Sequence, residues 1–196
     1  MSRFFVLAFV LALAGCSSPD HDASHEDSAA TEAHHDDGHA QAAPVAFAEL
    51  DQAAADDYAR ALDRYLQISA RLAADTTEGV PALARETADA LEAMLVQDPA
   101  GAEHVAAALP HARALAEART MDDTRDHFGL LSPHMDQLVL TVGPPAGTEI
   151  YRFVCGMADA PEGGIWLQAE SEPSNPYFGS AMLRCARTLE RVPDPA

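Results

Sequence analysis

Lysine is absent from the whole chain, and its twelve basic residues are all arginine. Thirty-one aspartates and glutamates leave a formal net charge of −19 at pH 7. Such a surface repels nucleic acid, which is excluded as a partner, and favours solubility or the attraction of cations. General surface acidity accounts for the charge equally well. Cysteine is scarce, with three, and tryptophan occurs once. No nucleophile elbow, phosphate-cradling loop, HExxH helix or Ser/His/Asp spacing occurs anywhere, so no catalytic signal is present and the chain is expected not to be an enzyme. Beyond the first fifteen residues there is no long apolar run, so nothing downstream is expected to span a bilayer.

The chain opens with the short basic start Met1-Ser2-Arg3 and an unbroken apolar run from Phe4 to Ala14. That run is too short for a spanning helix and is the length of a signal-peptide core. It closes on Leu13-Ala14-Gly15-Cys16, which resembles the lipobox of bacterial lipoproteins. The resemblance implies cleavage before Cys16, a diacylglyceryl group on its sulfur, and a chain tethered on the periplasmic side of the envelope. Ser17 after the cysteine is similar to the pattern of lipoproteins sorted to the outer membrane. With Cys16 acylated, the remaining thiols are Cys155 and Cys185. In an oxidising compartment two such cysteines form a disulfide or a soft-metal site.

Residues 16–45 are dominated by Ser, Asp, Glu, His and Ala, too polar to offset the entropy of ordering, and are expected to be a flexible tether. Its His21, His25, His34, His35 and His39 lie among carboxylates. That mixture suits loose binding of Cu(II), Zn(II) or Ni(II), and it suits a plain solvated spacer as well. Helical periodicity follows. Phe47, Leu50, Ala54, Tyr58, Ala61, Tyr65, Ile68 and Leu72 recur at steps of three and four, the stripe of an amphipathic helix. Val80, Leu83, Thr87, Leu91 and Met94 give a second stripe, with Pro81 in its first turn. An Ala-rich third segment runs from about Ala102 to Arg119 with Pro110 inside, and Phe128, Leu131, Met135, Leu138 and Val142 mark a fourth containing Pro133. Pro110 predicts a kink or a split of its segment and Pro133 a local distortion, and Asp122, Asp123 and Thr124 are cap candidates for the fourth helix. The predicted fold is mainly α, an antiparallel four-helix bundle over 46–143. A loop-rich cap over 144–196 completes the same domain and contains one short strand, Ile150–Val154.

The residues able to carry chemistry sit in that cap. Cys155-Gly156-Met157 and Met182-Leu183-Arg184-Cys185 supply two thiols and two thioethers, a soft donor set that selects Cu(I) over ions preferring oxygen. An extended segment would put Cys155 and Met157 on one side, and a helical turn would put Met182 and Cys185 on one face. The same residues also fit a structural disulfide closing a loop of about thirty residues, with the methionines as core filler. His134, beside Met135 on the helix leading to the cap, is a further candidate ligand. Asn175-Pro176-Tyr177-Phe178-Gly179 reads as an architectural turn and Trp166 as a packing anchor.

Tyr151-Arg152-Phe153-Val154-Cys155-Gly156-Met157, Gly164-Ile165-Trp166-Leu167 and the run from Asn175 to Cys185 together resemble a domain of unknown function. That domain occurs in periplasmic proteins and in adaptor subunits of copper- and silver-type heavy-metal efflux systems. Arg125, Phe128, Leu131 and Ser132 look like its pattern before the strand. Gly156 stands where the family has Pro, and Ala186 where it has a final Gly. The resemblance implies a copper-linked role, with Cys155, Met157, Met182 and Cys185 as candidate ligands and efflux components as partners. An alternative reading from the residues is a disulfide-stapled interaction module that binds no metal.

Overall fold

A computed structural model describes residues 46–160 and 163–193. The predicted signal peptide, Cys16 and the His/Asp-rich tether lie outside the described residues. Four helices come first: α1 (Gln52–Ala73), α2 (Val80–Leu95), α3 (Ala102–Glu117) and α4 (Met121–Val142). Asp51 caps α1, its carboxylate accepting from the Ala54 amide at 2.8 Å, which satisfies one of the donors that a first turn leaves open. Pro81 sits in the first turn of α2, where its missing N–H costs nothing. The cap of α4 is Thr120, whose hydroxyl accepts from the Asp123 amide at 3.1 Å. The candidates Asp122, Asp123 and Thr124 instead lie inside the helix, where the two carboxylates meet the positive end of its dipole.

Pro110 and Pro133 each stay within one continuous helix, so the split expected as one outcome at Pro110 does not occur. Pro110 is exposed, and so is Ala106 four residues earlier. The carbonyl deprived of its N–H partner therefore faces water, and the loss is small. None of the described helices is long and apolar enough to cross a membrane.

Each helix packs on its neighbour in sequence, α1 on α2, α2 on α3 and α3 on α4. Helices α1 and α4 touch little directly, and strand β2 packs on both. The cap is a three-stranded antiparallel sheet of β1 (Ile150–Val154), β2 (Ile165–Gln168) and β3 (Arg187–Val192), in the order β2–β1–β3. Strand β1 has the predicted bounds, but the cap holds three strands rather than one. All four residues of β2 are buried, so its sequence carries no alternation, and β3 is mostly exposed and polar.

Aromatic rings join the helices to the sheet. Tyr65 stacks on Phe128 with centroids 5.3 Å apart, Phe128 meets the edge of Tyr177 at 5.7 Å, and Tyr177 meets Trp166 at 6.1 Å. Phe153 then stacks on Trp166 at 5.4 Å. Trp166 is fully buried and its indole N–H donates to Gln168 Oε1 at 3.0 Å, the packing anchor expected of it.

Strand β2 lies at the edge of the sheet, and an open edge needs partners for its backbone. Helix α1 provides one: the Leu167 amide donates to the Tyr65 hydroxyl at 3.2 Å, and that hydroxyl also pairs with Ser132. Tyr65→Phe keeps the ring and deletes this junction, leaving a buried amide and a buried hydroxyl short of a partner. The expected loss is about 1–3 kcal/mol, read as a lower urea midpoint with an unchanged slope.

Candidate functional site

Strand pairing creates the site. Val154 at the end of β1 lies opposite Arg187 at the start of β3, so the residues just outside the ladder, Cys155 and Cys185, meet. Their sulfurs are 3.7 Å apart, and both thiols are free. Cys155 is buried, with its amide donating to the Gly164 carbonyl at 3.2 Å, and Cys185 is half-buried. They border a cleft of about 360 Å³ that also takes in Val154, Gly163, Ala186 and Arg187. Two thiolates held about 2.3 Å from one tetrahedral ion sit roughly 3.8 Å apart, so the observed spacing needs little change to chelate. It also lies within a small movement of a disulfide. The hydrogen bond with Cys155, and then burial, pushes the Cys185 thiol up in pKa. Ligation or oxidation therefore has to release a bound proton first.

The turn that delivers Cys185 is fixed by Asn175, which is fully buried. Its amide group donates to the Cys185 carbonyl at 2.8 Å and accepts from the Tyr177 amide at 2.9 Å. Its own backbone N–H donates to the Leu183 carbonyl at 2.9 Å, and its carbonyl accepts from Gly179 at 3.0 Å. The Asn-Pro-Tyr-Phe-Gly run is thus architectural, and what it builds is the position of a thiol.

The other candidate ligands have different surroundings. The Cys185 amide donates to the Met182 carbonyl at 3.0 Å, so these residues form a tight turn rather than a turn of α-helix. Met182 is half-buried and does not line the thiol cleft. Met157 is 68% exposed and borders a separate cleft with Arg125, Leu130 and Phe178. His134 lies on α4 with its ring centroid 5.6 Å from that of His111 on α3, outside the lining of the thiol cleft. Among the described residues no three His, Cys, Asp or Glu side chains converge as one metal-binding group. The geometry brings the two thiols together, and neither the methionines nor His134 lines their cleft.

Two features escaped the sequence reading. Arg125 reaches from α4 to the end of α1 and to the cap, and Asp75 answers it. His111 is a partner for His134. The seven-residue spacings His104/His111 and His127/His134, two turns of helix each, were the available signal for the second.

No family model matches this chain, and no match is found among curated proteins or solved structures.

Proposed function

We propose that this chain is a non-enzymatic lipoprotein, anchored through Cys16 on the periplasmic side of the envelope, that captures Cu(I) or a related soft ion. Its helices would form an antiparallel four-helix bundle serving as a platform for the sulfur-bearing cap. The observation carrying this reading is the pair Cys155 and Cys185, two free thiols 3.7 Å apart beside a cleft. Thiolate donors prefer Cu(I) to oxygen-seeking ions. At the observed sulfur spacing the two thiolates would hold the ion in a bent arrangement with room for a third donor, and Met182 is the nearest thioether in sequence to the half-buried Cys185 thiol. Met157 would reach the ion by rearrangement of its exposed turn. Heavy-metal efflux components are the partners suggested by the sequence resemblance, and the His-rich tether would collect ions beforehand.

A second reading is favoured by the same proximity together with the outlying methionines: a disulfide-stapled module that docks on an envelope assembly and binds no metal. Anaerobic titration of the Ser17–Ala196 chain with Cu(I) against a competing chelator, with thiols counted in parallel, separates them. Copper capture predicts one tightly bound ion per chain, loss of that binding in Cys155→Ser and in Cys185→Ser, and tighter binding as pH rises, because protons compete for the thiolates. Absence of binding, with no free thiol in native material, would establish the stapled module instead.

A further inference from the structure

The two thiols at the strand ends differ in access. Cys155 is 1% exposed, whereas Cys185 is half-buried and borders the cleft. Gly156 shares that cleft and is exposed, and among the described residues nothing lies within 4 Å of where a side chain on it would begin. A reagent entering from solvent therefore meets Cys185 first, with the Cys155 sulfur 3.7 Å behind it. The backbone of Cys185 is held on both sides. Its amide donates to the Met182 carbonyl at 3.0 Å, and its carbonyl accepts from the Asn175 side chain at 2.8 Å. Only the Cys185 side chain has to turn for its sulfur to pass between the cleft and the buried thiol.

A cation stands at the same cleft. Arg187 opens β3, lines the cleft and is exposed. Among the described residues no carboxylate pairs with it, although acidic side chains outnumber basic ones by 31 to 12 in the chain. A guanidinium in that position draws an anionic group toward the thiols against the general negative field. Thiol–disulfide exchange needs one accessible sulfur to attack, and closing a disulfide needs a second thiol within reach of the mixed product. Cys185 meets the first condition and Cys155 the second.

We propose that Cys185 exchanges with an external disulfide carrying negative charge and that Cys155 resolves the product. In the first step the Cys185 thiolate attacks one sulfur of the external disulfide, forming a mixed disulfide and expelling one thiolate. In the second the Cys155 thiolate attacks the Cys185 sulfur, which closes the Cys155–Cys185 bond and expels the other thiolate. The two cysteines give up two electrons and two protons, and the external disulfide becomes two thiols. An excess of the same thiol reverses both steps. Metal capture and the disulfide staple then become two states of one site. That consequence alone rests on the copper reading, because a disulfide offers no thiolate to an ion.

The test uses the reduced full-length chain in detergent, free of metal and oxygen, with oxidised glutathione as the probe. Peptide mass mapping places each adduct, so Cys16 does not confuse the result. The parent is expected to end as the Cys155–Cys185 disulfide with no glutathione retained. Samples quenched early in acid should carry glutathione on Cys185 and none on Cys155. Cys155→Ser should keep a stable adduct on Cys185, whereas Cys185→Ser should react at Cys155 at least about tenfold more slowly, because that thiol is covered. Arg187→Ala should slow oxidised glutathione several-fold and leave cystamine, a cationic disulfide, no slower. Equal reaction at the two cysteines would overturn the order of attack, and an adduct persisting on Cys185 of the parent would overturn the resolving role. Equal slowing of both probes would overturn the part given to Arg187, and a parent that does not react would overturn the whole. If a serine variant fails to fold, the early-quenched parent reads the same order without it. No metal is present, so the outcome is independent of the Cu(I) reading.

Discussion

Arg152→Ala is expected to destabilise the protein by about 3–5 kcal/mol, the penalty for stranding one partner of a buried ion pair. Arg152 on β1 grips Asp136 on α4 with two hydrogen bonds, Nε to Oδ1 at 2.6 Å and Nη2 to Oδ2 at 2.8 Å. It also pairs with Glu190 across the ladder on β3. The Asp136 side chain has no exposure at all, against 11% for Arg152. The Asp136 hydrogen bond is the first cause of the raised Arg152 pKa, so the guanidinium is charged at any pH the fold withstands. The two truncations are unequal. Asp136→Ala leaves a guanidinium that still has Glu190, itself half-exposed, and the loss should fall nearer 3 kcal/mol. Arg152→Ala leaves a carboxylate sealed in the core with no cation. Replacing both residues together, Asp136→Leu with Arg152→Met, should recover most of the loss, because a buried pair exchanged for apolar volume is nearly neutral. Urea midpoints of the three chains test this ordering. Equal loss from all three would mean that the pair is held by packing rather than by charge.

That pair also shows what a linear reading of this chain can and cannot reach. The helices were legible because burial recurs at helical spacing: Tyr58, Ala61, Tyr65, Ile68 and Leu72 are all buried. Strand β1 was legible from its alternation and β-branched content. Asp136 falls among the buried residues of α4, yet a carboxylate in an apolar stripe reads as a surface residue until its cation is found 16 positions away. Strand β3 reads as polar because it is an exposed edge, and only its pairing with β1, shifted between Arg152 and Phe153, makes it a strand. The thiol pair is a consequence of that pairing, so thirty residues of spacing could name the two cysteines but not bring them together. The meeting of His111 and His134 has the same character. Each seven-residue spacing is visible in the sequence, whereas the register of α3 against α4 is a tertiary property.

Gly179→Ala is expected to loosen the cap and to weaken whatever Cys155 and Cys185 do together. Gly179 has φ +54°, a left-handed conformation that costs a residue with a Cβ about 1–2 kcal/mol by itself. The added methyl would also lie 1.9 Å from Asp75 Oδ1 and 2.7 Å from an Arg125 nitrogen, far inside contact distance. Those two groups form the clamp that holds the cap to the helices. Arg125 donates to Asp75 at 2.8 Å, to the Leu72 carbonyl at 3.1 Å and to the Pro176 carbonyl at 3.0 Å. Asp75 accepts in turn from the Ser180 amide at 2.9 Å. The hydroxyl and amide of Ser180, followed by Arg125, hold the Asp75 carboxyl down at about 2, so the clamp is fully charged at neutral pH. A methyl at Gly179 must expel Asp75 or lift the turn, and the turn leads through Met182 to Cys185. The expected result is a lower Tm and, under the proposed copper-capture function, a marked loss of Cu(I) affinity in the same variant. Ser180→Ala, which keeps the amide bond to Asp75, should lose far less of either. A Gly179→Ala chain of unchanged stability that binds Cu(I) as the parent does would show that Cys185 is positioned by Asn175 alone, without the clamp.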